Sequence, residues 1–159
     1  MLLDALLAAA VAAAALGAAQ PGPDGDWSWP VDPPRRVLAP FVAPLQPWAP
    51  GHRGIDVAAP GGVLRAPADG VVHFAGQVVD RPVLSIDHGE GVLSSYEPVV
   101  ASVVEGESVR RGEVIGVIEA GHCATTCVHV GVRVDGEYRN PLLWLGGAIR
   151  PVLLPTRRG

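Results

Sequence analysis

Apolar and polar residues alternate one for one through the last long run of the chain. Val128, Val130, Val132 and Val134 interleave with Cys127, His129, Gly131 and Arg133. This is the two-residue period of a strand with one face turned to a core. Shorter apolar runs come before it: Val71 to Gly76, Pro82 to Asp87, Val92 to Tyr96, Val99 to Val104 and Val114 to Ile118. Turn chemistry separates them at Pro60-Gly61-Gly62, Asp69-Gly70, His88-Gly89-Glu90-Gly91, Gly106 and Gly112, and Asp135-Gly136 leads on to Glu137 to Arg139. Asp69-Gly70, between two strand-like runs, predicts a hairpin. A strand about every ten residues predicts an all-β fold, a small antiparallel β-barrel or sandwich. Beyond the N-terminal segment no run sustains the 3.6-residue period of an amphipathic helix.

The ends of the chain depart from this pattern. Ala5 to Leu16 are all Ala, Leu and Val, a run of signal-peptide length and too short to span a bilayer. Gly17-Ala18-Ala19 offers small residues for cleavage before Gln20. Asp4 stands where a basic residue is expected, so an uncleaved anchor is the second reading. Residues 1–19 are thus read as a signal peptide or N-terminal anchor, and any membrane attachment is expected only there. Residues 20–46 read as a Pro/Trp-rich tether that wraps the domain in extended form, because so many prolines forbid a long helix. Trp27, Trp29, Phe41 and Trp48 either pack on the domain, the simpler reading, or form a rim that stacks on sugar rings. The β domain is expected over 47–146, followed by a tail over 147–159.

Composition narrows the function classes. With 20 glycines and 16 prolines among 159 residues, a helical bundle is excluded. A net charge of −4 gives no electrostatic footprint for nucleic acid. There is no lysine: the twelve basic residues are all arginine. A biotin- or lipoate-carrier reading of the GESVRRGEVIG stretch therefore lacks its attachment residue.

The chemistry starts from Gly51-His52-Arg53-Gly54-Ile55-Asp56. His52 and Asp56 are four residues apart, a spacing that puts both side chains on one face of either a helix or a strand. Alone, such a pair is chance-level. His129 changes its weight, because it lies off the valine face of the strongest strand. Two imidazoles and one carboxylate leave a fourth position for water, the open arrangement of a catalytic Zn²⁺ site. Zinc lowers the pKa of bound water to about 7 and polarises carbonyls, which suits amide hydrolysis. Cys123 and Cys127 flank Ala124-Thr125-Thr126. In an exported chain they are read as a disulfide fixing His122 and the start of the ligand strand. The rival is a closed Cys/His zinc cluster of His122, Cys123, Cys127 and His129. His73 and His88 are read as structural.

The order GHRGID, APADGVVHFAG, VLSIDHGEG, SVRRGEVIG and CVHVGVR resembles the LytM/lysostaphin-type zinc metallopeptidases, from about Trp48 to Leu145. The resemblance implies a compact antiparallel β fold of the lysostaphin, duplicated-hybrid-motif kind, with a groove over the metal. It implies cleavage of peptide cross-links, with peptidoglycan stem peptides as partner and Zn²⁺ as cofactor. The family's H-x-x-x-D motif falls on His52 and Asp56, and the second histidine of its H-x-H falls on His129, as metal ligands. Two positions depart from the family. The first histidine of H-x-H is Cys127 here, and the histidine of the family's Tyr-x-His stretch is Pro98, after Tyr96-Glu97. Glu97 and His122 are the local candidates for the missing proton chemistry. The leading expectation is an exported, monomeric zinc endopeptidase of the bacterial cell wall. The runner-up is an inactive domain that binds peptidoglycan or activates another wall hydrolase.

Overall fold

The computed structural model describes residues 27–46 and 48–146. The expected signal or anchor segment, the first part of the tether and the tail lie outside the described residues. Eleven strands run through the described part: β1 (Val37–Ala39), β2 (Gly54–Ala58), β3 (Val63–Arg65), β4 (Gly70–Val78), β5 (Arg81–Asp87), β6 (Val92–Glu97), β7 (Val99–Ala101), β8 (Ser108–Val109), β9 (Val114–Ile118), β10 (Cys127–Val134) and β11 (Glu137–Arg139). A single 3₁₀ turn, Pro141–Leu143, follows them. Among the described residues no helix is long and apolar enough to cross a membrane.

The strands form two antiparallel sheets. The larger has the order β1-β2-β10-β6-β5-β4-β8, with β11 added beside β10, and the smaller has the order β3-β9-β7. Neither closes on itself, so the fold is a sandwich and not a barrel. One core cluster draws on both sheets, with Ile55, Val57, Leu84, Ile86, Val128, Val130 and Val132 from the larger and Leu64, Val99, Ile115 and Ile118 from the smaller. Full burial of an aliphatic side chain of this size is worth about 1.5–3 kcal/mol. The valine face of β10 is therefore fixed inward, and a one-residue slip would turn it to solvent. Trp27 and Val31 belong to the same core. Trp27 also donates its backbone N–H to the Trp144 carbonyl at 3.1 Å, which ties the two ends of the described chain together.

The hairpin expected at Asp69-Gly70 does not form. β3 pairs with β9, whereas β4 pairs with β5 and β8, so the dipeptide carries the chain from one sheet to the other. The Asp69 carboxylate accepts the Arg111 N–H at 2.7 Å, and its carbonyl accepts from His88 at 2.8 Å. These distant partners take the groups that a local turn would have used. The apolar run from Val99 also stops early as a strand, at Ala101.

Candidate metal centre

β2 and β10 lie side by side with His129 directly opposite Asp56. Both point away from the valine face. His52 sits just before β2 and is held by a bridge to Val42, with N–H···O contacts of 2.9 Å in both directions. The approach of β10 requires glycine in the motif. A Cβ on Gly54 would collide with the Val130 carbonyl oxygen and lie 2.5 Å from His129 Nε2. Gly131 clears the neighbouring strand in the same way, since a Cβ there would lie 2.7 Å from Ser95 Oγ.

Asp56 Oδ1 is the hub of the cluster. His129 Nδ1 lies 2.8 Å from it, His122 Nε2 3.1 Å and His52 Nε2 3.2 Å. His52 Nε2 and His129 Nδ1 are 3.2 Å apart. His52 Nδ1 is 2.7 Å from the Pro40 carbonyl, which can only accept, so the proton of a neutral ring is on Nδ1. His52 Nε2 is then a bare acceptor facing a carboxylate oxygen, an arrangement that calls for a cation between them. Zn²⁺ with ligand bonds of about 2.0–2.2 Å would set tetrahedral ligand atoms about 3.3–3.6 Å apart. The triangle of His52 Nε2, Asp56 Oδ1 and His129 Nδ1, with edges of 2.8–3.2 Å, is tighter than that, and its atoms would have to part by less than about 1 Å to hold the ion.

The electrostatics agree with ligation. Burial is the largest influence on the Asp56 carboxyl and would raise its pKa. Hydrogen bonds from His129 and His122, with the charges of His52 and His122, outweigh burial and hold it below the usual carboxylate value. For His129, burial dominates and keeps the ring below the usual imidazole value, against the opposing hydrogen bond and charge of Asp56. The ionised Asp56 and the neutral His129 ring are the forms a metal binds.

The remaining candidates divide. Cys123 and Cys127 form a disulfide, with Cα atoms 5.9 Å apart. Its sulfurs cannot act as thiolate ligands, so the closed Cys/His cluster does not form. The bridged loop delivers His122 to Asp56, with its ring centroid 5.8 Å from that of His129. Glu97, on β6, lies directly opposite His129, yet its carboxylate is engaged by Arg81 Nη1 at 3.5 Å. Beside it, a cavity of about 400 Å³ is lined by Arg81, Pro98, Glu119 and His122, among others, and opens next to the metal centre. His73 is exposed on β4, and His88 is buried in a network of its own. Arg81 and the Pro40 carbonyl were missed in the sequence; both act through tertiary approach and leave no local pattern.

His52, Asp56 and His129 form a group that could hold a metal ion, set on an antiparallel β sandwich. The family model for peptidase family M23 matches residues 50–141, and the chain belongs to that family, the LytM/lysostaphin-type zinc metallopeptidases. An uncharacterised protein of Mycobacterium tuberculosis is 45% identical over 68% of this chain and 45% of its own length. The murein hydrolase activator NlpD of Escherichia coli is 30% identical over 77% of this chain and 32% of its own. The chain thus spans less than half the length of these curated relatives. The solution structure of lysostaphin superposes with a TM-score of 0.61 at 18% identity, covering 86% of this chain and 61% of that one, a likeness of fold.

Proposed function

We propose that the chain is an exported zinc metallohydrolase that cleaves peptide cross-links of bacterial peptidoglycan, with His52, Asp56 and His129 as metal ligands. The observation that carries this reading is the convergence of His52 Nε2, Asp56 Oδ1 and His129 Nδ1, with His52 Nδ1 turned to the Pro40 carbonyl. Zn²⁺ held there would supply Lewis-acid polarisation of the scissile carbonyl and an activated water at neutral pH. His122 places Nε2 at Asp56 and also lines the adjoining cavity, where it can give a proton to the departing amine. Glu97 is the weaker candidate, because Arg81 holds its carboxylate. The disulfide fits an oxidising, extracytoplasmic compartment. Peptidoglycan as the target is supported by family membership and by the relative named as a murein hydrolase activator.

That relative also motivates the second reading, a domain that activates another wall hydrolase without cleaving. Cys127 and Pro98, in place of the family's two other histidines, favour it. Metal analysis of the secreted chain, paired with a digest of purified peptidoglycan, separates the two. The hydrolase reading expects one zinc per chain, lost in His52→Ala and His129→Ala, with new amine and carboxyl termini in the digest. Full zinc occupancy with no new termini would overturn it and leave the activator.

A further inference from the structure

The structure holds an aromatic group that the metal centre does not use. Of the four tryptophans, Trp27 and Trp144 are core residues and Trp29 is partly buried against that core. Trp48 is 81% exposed. It stands on the loop between Val42 and His52, whose base is closed by the two hydrogen bonds of that bridge. The loop is stiff. Pro44 and Pro50 fall within it and fix two φ angles. Ala49 N–H bonds the Gln46 carbonyl at 2.9 Å, and Arg53 Nη2 bonds the Ala49 carbonyl at 3.2 Å. At the base the packing is tight, because a Cβ on Gly51 would lie 2.8 Å from the Val42 oxygen. Trp48 is four residues from the ligand His52, so its Cα lies within about 14 Å of that of His52.

We propose that Trp48 is a glycan subsite, an indole face on which one neutral N-acetylated pyranose ring of the substrate polymer stacks. This rests on the peptidoglycan reading, but not on hydrolysis. From Val37 to Gly51 the chain carries no charge, which suits an uncharged sugar; Arg53, whose guanidinium bonds the Ala49 carbonyl, is the reason the test includes anionic vesicles and a charged peptide. An indole gives the C–H face of a pyranose a flat apolar partner while leaving the ring hydroxyls in water. The stiff loop holds the indole in place before binding, so little ordering is lost when the sugar arrives. A glycan held at the rim would present its stem peptide to the metal centre.

The test is a calorimetric and fluorescence titration of the full chain, in chelator, with a soluble N-acetylglucosamine oligomer. Wild type should bind with a shift in tryptophan emission, since the other three indoles are packed. Trp48→Ala should bind about tenfold more weakly, the scale of one aromatic contact. Trp48→Phe should keep most of the heat signal and lose the emission shift. A sugar-free stem peptide should bind wild type and Trp48→Ala equally. Absence of oligomer binding by wild type, or equal binding by Trp48→Ala, would overturn the proposal. So would an effect of Trp48→Ala confined to anionic vesicles or to the stem peptide. Because chelator removes any metal, an inactive hydrolase would leave this titration unchanged, and a failed titration would leave the zinc analysis standing.

Discussion

Two histidines in this molecule begin alike and end differently. His88 sends its Nδ1–H to the Asp69 carbonyl at 2.8 Å, and His52 sends its Nδ1–H to the Pro40 carbonyl at 2.7 Å. Both rings are therefore left with a bare Nε2. At His88 that nitrogen meets the Ser94 hydroxyl at 2.8 Å, and Ser94 Oγ in turn accepts from Tyr96 O–H at 2.9 Å. Each donor finds an acceptor and the chain of bonds closes. At His52 the same nitrogen meets Asp56 Oδ1 and His129 Nδ1, and the carboxylate has nothing to donate. A closed network stiffens a core; an open one, partly buried and rich in acceptors, is a place for a cation.

The contrast can be broken from either side. The largest effect is expected at His122. His122→Ala should lower kcat on a cross-linked peptide by about 10²–10⁴-fold, the worth of general acid–base help, with zinc content unchanged. A parallel loss of zinc would make His122 a ligand instead. Gly54→Ala should come next. Its Cβ would press on Val130 and on the His129 ring, costing about 3 kcal/mol or more of stability by denaturant unfolding together with metal affinity. His88→Ala strikes the closed network alone. It strands the Asp69 carbonyl and Ser94, for about 2–3 kcal/mol, and should leave zinc binding untouched.

The smallest effect is one of pH. Burial is the main cause that pushes His88 below its ordinary value of 6.5. As pH falls through that value, the unfolded chain takes up a proton that the folded chain refuses. Stability is therefore full above about 6.5 and is lost below it, by at most about 1.4 kcal/mol per pH unit for this one group. Unfolding curves of metal-free protein between pH 5 and pH 8 measure this, and His88→Asn should flatten the slope.

How much of this was legible in the chain follows from what each feature depends on. The strand runs and the inward valine face of β10 came from two-residue alternation, a local property that burial enforces. The spacing of His52 and Asp56 and the parity of His129 were likewise local, and the register of β2 against β10 turned them into one cluster. Other features depend on distant partners. Asp69-Gly70 carries the chemistry of a hairpin turn, yet its groups bond Arg111 and His88. Glu97 was a candidate by neighbourhood, but Arg81 from the adjoining strand engages it. The four aromatics of the Pro/Trp-rich segment looked alike in sequence. Only the packing separates Trp27, Trp29 and Phe41 from the exposed Trp48.

The half-cystine at position 127 has a consequence for how this chain could change. It stands where the family's H-x-H motif has its first histidine, and the same sulfur closes the loop that carries His122. Cys127→His would restore the motif while leaving Cys123 a lone thiol and releasing His122. The two arrangements exclude each other at the level of one codon. On the proposed role of His122, regaining a histidine at position 127 costs the bridge in the loop that brings His122 to Asp56.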